Sequence, residues 1–215
     1  NVLDDFKPNL PEVWENPEVL FCASTHPATQ VAVLDQCPGA QLTVLDTFML
    51  WIETEFQTLS EAMRKVDIVV INEQEVCAIA EDEILPRAMK SIISGEALHG
   101  GLAAGPGPRC LIAKRGSGGV IAMLPAGTLS LPAYPTDEIV DPTGCGDSFA
   151  GSLIAYLVGR KGVLSDIEAI RNALVHATVT SSFTLGGLGT SGIASIDRGI
   201  YHARVDRYRR IAGIK

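Results

Sequence analysis

The chain is poor in positive charge. It carries 17 Lys and Arg against 25 Asp and Glu, a net charge of −8 over 215 residues. Repulsion from phosphate backbones argues against a nucleic-acid partner. The densest basic run, Arg204, Arg207, Arg209 and Arg210, falls in a helical stretch and reads as a solvated face or a tail anchor, not a binding patch. The five cysteines (Cys22, Cys37, Cys77, Cys110, Cys145) contain no Cys-x-x-Cys pair, which excludes the common zinc arrangement. Their odd number and wide spacing fit reduced thiols in a cytosol. No apolar run reaches the length of a membrane span, and no charged-then-apolar leader opens these residues. Repeats and low-complexity segments are also lacking. A soluble, cytoplasmic protein with neither membrane nor nucleic acid as partner is expected. What is plentiful is apolar: 47% of residues are hydrophobic, enough for one sizeable core.

Short apolar runs alternate with helical patterns. Val19–Cys22, Leu42–Leu45, Ile68–Ile71, Cys110–Ala113 and Val120–Met123 read as buried or half-buried strands. Ala28–Leu34, Phe56–Arg64, Glu73–Ile79 and Ile84–Ile93 read as the helices between them. The later part is helical over Asp147–Val158, Asp166–Thr184 and Ile196–Ile211, with Gly159 and Gly162 as punctuation. Gly100–Pro108 and Gly186–Gly192 read as loops. Strands joined by helical crossovers give an α/β fold: a mostly parallel sheet with helices on both faces. Ligands collect at the carboxyl ends of such strands. Asp46-Thr47, Asn72 and Lys114-Arg115-Gly116 all fall there.

Residues 141–149 read Asp-Pro-Thr-Gly-Cys-Gly-Asp-Ser-Phe, and an apolar helix follows. Gly144, Cys145 and Gly146 keep the backbone N–H groups unobstructed at a helix N-terminus, where the dipole favours an anion. Asp147 stands beside that anion site. A pocket for a charged phosphoryl group next to a proton-accepting carboxylate is the minimum needed to phosphorylate an alcohol. The plainer reading is a tight glycine turn with Asp147 as a helix cap. A thiol at a helix N-terminus is expected to have a lowered pKa, so Cys145 is expected to be reactive.

This nonamer resembles the C-terminal signature of the ribokinase / phosphofructokinase-B family of carbohydrate kinases, Asp-Thr-x-Gly-Ala-Gly-Asp-x-Phe. Pro142 and Cys145 are its two departures. The resemblance covers about Val19 to Phe183. It implies a three-layer ribokinase-like fold and ATP-dependent phosphorylation of a sugar or nucleoside hydroxyl. Asp147 becomes the general base, and Gly144, Cys145 and Gly146 the anion hole. Asn72-Glu73-Gln74-Glu75 matches the family's Asn-x-x-Glu, which makes Asn72 and Glu75 the pair that steadies Mg²⁺ through water. As plain structure, the same four residues form a helix cap with a capping box. Lys114 to Gly119 is a Gly-rich turn between strands. In the family such a turn lies along the nucleotide, with Gly116 and Gly119 beneath it and Lys114 near its phosphates. Ala177, in the small-residue stretch Ala173–Phe183, borders adenine by resemblance or simply lets helices pack closely. Asp141 and Thr143 border a monovalent-cation site in some relatives, although turn-stabilising hydrogen bonds explain them as well.

Family members begin with strands that carry much of the sugar pocket, a lid and a Gly-Gly switch, whereas these residues begin at Asn1-Val-Leu-Asp-Asp-Phe. The expectation is the nucleotide-binding, catalytic portion of a longer kinase. Residues 1–215 would then form one partial ribokinase-like domain, truncated at its N-terminus, with lid and first strands missing. The uncovered sheet edge would favour association, a homodimer in the simplest case. The alternative is a non-catalytic nucleotide-binding or regulatory remnant of such a kinase.

Overall fold

Four-residue runs of Val, Leu, Phe and Ile bounded by polar turns are too short for buried helices and suit a half-extended backbone. In the computed structural model they are strands. The structure describes residues 6–137, 139–194 and 196–214. The opening residues Asn1–Asp5, on which the expectation of a late start rests, lie outside the described residues. The strands are β1 (Val19–Cys22), β2 (Leu42–Leu45), β3 (Ile68–Asn72), β4 (Cys110–Lys114), β5 (Val120–Leu124) and β6 (Gly127–Leu131). They form one sheet in the order β1-β2-β3-β4-β5-β6. The first pairs are parallel, with Val19 opposite Leu42 and Val44 opposite Ile68. The turns joining β4 to β5 and β5 to β6 are too short for a parallel crossover, so the sheet is mixed rather than parallel throughout. Val44, Leu45, Val69, Val70 and Leu111 are wholly buried in it.

The helices are α1 (Pro27–Gln36), α2 (Met49–Thr54), α3 (Phe56–Lys65), α4 (Glu73–Ala80), α5 (Leu85–Ser94), α6 (Cys145–Leu157), α7 (Ile167–Thr184), α8 (Ser191–Ala194) and α9 (Arg198–Ile211). Two compact units contain these elements: residues 1–113 with 122–125, and residues 114–121 with 126–215. In the first unit α1 packs on α3, and α4 on α5 and β3. The loop after α5 owes its shape to one side chain. Arg64, in the last turn of α3, donates to the carbonyls of Gly95, His99, Gly101, Gly105 and Pro106.

In the second unit α6 lies along α7, and α7 meets α9 and β6. The α7 face is lined by small residues; Ala173, Ala177 and Val179 are wholly buried. Ring stacking joins these helices. His176 stacks between Tyr156 (5.1 Å) and Tyr201 (5.8 Å), and its Nδ1 lies 2.8 Å from the Tyr201 hydroxyl. Tyr208, buried on α9, donates its hydroxyl to the Pro132 carbonyl at 2.5 Å. Among the described residues no helix is long and apolar enough to cross a membrane.

Candidate active site

Gly144 heads α6 with φ 82°, a left-handed conformation that glycine adopts without a Cβ penalty. It leads into a first turn of α6 in which Asp147 is exposed and its neighbours are half-buried. There the Pro142 carbonyl accepts the Cys145 N–H (3.1 Å) and the Gly144 carbonyl accepts the Ser148 N–H (2.9 Å). The N–H groups of Gly146 and Asp147 have no acceptor among the described residues. They carry the positive end of the helix dipole. A Cβ built on Gly146 would stand 3.2 Å from Lys114 Nζ, so the ammonium lies against the bare Cα of this glycine. Asp147 is exposed, and its carboxylate has no partner among the described residues. Lys114, Gly144, Gly146 and Asp147 thus meet in one unit as an anion-attracting turn beside an open carboxylate.

A polar seam with α7 holds that turn in place. Ser181 donates its hydroxyl to the Cys145 carbonyl (2.9 Å), Thr184 to Ser148 Oγ (2.8 Å) and Thr180 to Ser152 Oγ (2.9 Å). Sequence reasoning passed over these residues. Their signal was the pairing of Ser148 with Ser152 and of Thr180 with Thr184, each one helical turn apart.

Cys145 departs from its sequence expectation. Its thiol points at α7 and donates to the Ser181 carbonyl at 3.7 Å. Burial and the nearby Asp141 carboxylate push the thiol above its ordinary pKa, not below it. Asp141 accepts the Thr143 N–H at 2.9 Å, and the hydrogen bonds from Thr143 hold its carboxyl below the usual carboxylate range. That is a turn-stabilising geometry.

The remaining residues sort by what surrounds them. Gly116 is exposed at φ 55°, and a Cβ there would meet nothing within 4 Å. Gly119 is different: a Cβ would fall 2.1 Å from the Leu131 carbonyl oxygen, so packing against the end of β6 already requires glycine. Ala177 is 0% exposed, and in this structure its methyl serves helix packing. In the first unit, Asn72 caps α4 and makes a full capping box with Glu75. The Glu75 N–H donates to Asn72 Oδ1 (2.9 Å), and the Asn72 N–H donates to Glu75 Oε2 (2.8 Å). Glu75 is buried. Among the described residues no three His, Cys, Asp or Glu side chains gather as a metal cluster. One buried, hydrogen-bonded carboxylate and one amide suit contact with Mg²⁺ through its retained waters, not direct ligation.

The sequence profile of the pfkB family of carbohydrate kinases matches residues 15–192. The chain belongs to this family. A cytidine kinase of Thermococcus kodakarensis is 31% identical over 158 residues, 70% of this chain and 52% of that protein. The chain therefore spans about half the length of this curated relative. Two solved structures share the fold. A fructokinase from Vibrio cholerae, with fructose, ADP and calcium bound, superposes with a TM-score of 0.72 at 16% identity, covering 92% of this chain and 62% of the other. A nucleoside kinase from Methanocaldococcus jannaschii gives 0.68 at 17% identity, covering 93% and 58%. For a pfkB-family chain, Pro142 and Cys145 are the local departures, and the structure pairs them: the carbonyl of one takes the N–H of the other.

Proposed function

We propose that this chain carries the phosphate end of an ATP-dependent kinase acting on a hydroxyl of a nucleoside or sugar. The observation that carries the reading is the first turn of α6, where two N–H groups without an acceptor among the described residues and the Lys114 ammonium adjoin an exposed Asp147 that has no partner among them. The transferring phosphoryl group draws on the N–H groups of Gly146 and Asp147 at the Gly144 turn, and Lys114 offsets its charge. Asp147 accepts the acceptor's proton as that oxygen attacks the terminal phosphorus and the bond to ADP breaks. Gly116 leaves open surface along which the nucleotide lies. Within the first unit, Asn72 and Glu75 would steady the waters of a bound Mg²⁺, an ion that supplies neutralising charge to phosphate. The 31% identity to a cytidine kinase favours a nucleoside acceptor over a free sugar.

The test is ADP formation across a panel of nucleosides, pentoses and hexoses, with parent protein and Asp147→Asn. Loss of a general base lowers kcat by about 10²–10⁴-fold and leaves ATP affinity nearly unchanged. A variant that keeps its parent's kcat refutes the assignment. A parent without transfer to any acceptor, though it binds ATP, supports the non-catalytic alternative.

A further inference from the structure

Among the described residues, three buried polar atoms, all in the first unit, have no hydrogen-bond partner: Gln30 Oε1, Thr47 Oγ1 and Trp51 Nε1. Buried polar atoms are nearly always paired, so three orphans together call for an occupant. Contacts and short chain segments link the three residues that carry them, at the carboxyl ends of β1 and β2. Gln30 Nε2 donates to the carbonyls of Cys22 (3.3 Å), Ala23 (2.9 Å) and Asp46 (2.9 Å). Those carbonyls fix the orientation of the amide and leave Oε1 as the acceptor without a donor. Thr47 follows Asp46 directly. Trp51 follows four residues later within α2, and its ring centroid is 5.0 Å from that of His26. His26 is one turn before Gln30 on α1, which completes the link. Gln30 and Thr47 are 1% and 3% exposed. Asp46 Oδ1 is already engaged by the Thr47 N–H at 2.8 Å.

The chemistry of the orphans is specific. They comprise one acceptor, one donor and one hydroxyl able to serve as either, all uncharged. Rings surround them. The Phe48 ring meets Trp51 edge-on at 6.1 Å, and the side chains of Phe48 and His26 remain 46% and 39% exposed. We infer that these residues bind the edge of a planar, uncharged heterocycle of the nucleobase kind. Gln30 Oε1 accepts from its exocyclic amine, Trp51 Nε1 donates to a ring acceptor, and Thr47 adjusts to either. His26 and Phe48 yield to admit the ring and then cover its face. Calling that heterocycle the base of the phosphorylated nucleoside rests on the kinase reading; the binding itself does not.

Trp14 and Trp51 are the two tryptophans of the chain. Trp14 is exposed, so Trp14→Phe leaves Trp51 as sole reporter on an otherwise intact protein. Cytidine is titrated against its fluorescence, with ribose as control. Saturable quenching by cytidine and none by ribose is expected. Thr47→Val keeps the shape and removes the hydroxyl. It should weaken cytidine binding about tenfold, the size of one lost hydrogen bond, without lowering the melting temperature. No quenching, quenching equal for ribose, or quenching unchanged in Thr47→Val overturns the proposal. Phosphoryl transfer to cytidine without any Trp51 response also overturns it and leaves the kinase reading standing. Quenching without transfer to any acceptor sinks the kinase reading and leaves this site standing.

Discussion

Two glycines in one short turn, between β4 and β5, should respond to alanine in opposite ways. At Gly119 the backbone has φ 86° and ψ −135°, a region that side chains rarely enter. An alanine Cβ would also fall 2.1 Å from the Leu131 carbonyl oxygen, 2.7 Å from Pro132 C and 2.8 Å from Ala133 N. All three are backbone atoms, so β6 must move before the methyl fits. Left-handed strain costs about 1–2 kcal/mol and overpacking about 1–3 kcal/mol, giving roughly 2–5 kcal/mol in all. For a chain of this size the melting temperature of Gly119→Ala should fall by about 4–20 °C. Gly116 has the left-handed strain but empty space around it. The entropy that alanine removes from the unfolded chain offsets part of that strain, leaving about 1 kcal/mol or less. Gly116→Ala should therefore melt within about 4 °C of the parent and, if the nucleotide lies on this surface, bind Mg-ATP more weakly. The assay is thermal denaturation of both variants with and without Mg-ATP. A Gly119→Ala protein that melts within about 3 °C of the parent would refute the packing account.

Glu75→Gln keeps the shape of the capping side chain and removes its charge. It should cost on the order of 1 kcal/mol and raise the Mg²⁺ concentration for half-maximal rate; stability loss with an unchanged Mg²⁺ requirement would leave only the cap role. Cys145, its thiol pushed up by burial and Asp141, should alkylate slowly at neutral pH and faster as pH climbs above 9, which peptide mapping after timed labelling reads directly. Rapid labelling at pH 7 would contradict that surrounding. Burial, then the charges of Arg209 and His202, hold His176 below its ordinary pKa. The unfolded chain therefore takes up this proton first, so stability is present above about pH 6.5 and declines as pH falls below it. Melting temperatures from pH 7.5 to 5 should drop, and His176→Gln should flatten the slope; an unaltered slope would assign it to other groups.

The apolar runs Ile68–Ile71 and Cys110–Ala113 are the buried residues of β3 and β4, where continuous burial leaves a continuous apolar signal. Val19–Cys22 and Leu42–Leu45 also match their runs residue for residue, although β1 is mostly half-buried. β6 escaped notice because Thr128 and Ser130 face outward, leaving only Leu129 and Leu131 to mark it. α2 is short and follows the Asp46–Phe48 turn without a capping side chain, so nothing local announces it. At the site, the order Gly144 to Asp147 foretold an open helix N-terminus, since the left-handed turn there needs a glycine. It could not foretell which way Cys145 would point. That depends on Ser181, 36 residues away on α7. Likewise Asn72 and Glu75 announced a cap from spacing alone, while the Lys114 ammonium meets Gly146 through a long-range approach that no local pattern encodes.

The Arg64 guanidinium has a consequence for proteolysis. Segments rich in glycine and proline on a surface are ordinarily where proteases enter, because the chain there can unfold locally to fill an active-site cleft. From Gly95 to Pro106 that local unfolding would break hydrogen bonds to five carbonyls and strand a charge on α3. Gly107 adds a second restraint, since its missing side chain makes room for the Ile92 carbonyl 2.0 Å from where a Cβ would be. Limited digestion should spare this stretch despite its composition. One arginine converts an apparent weak point into a segment that resists nicking as long as α3 stays folded.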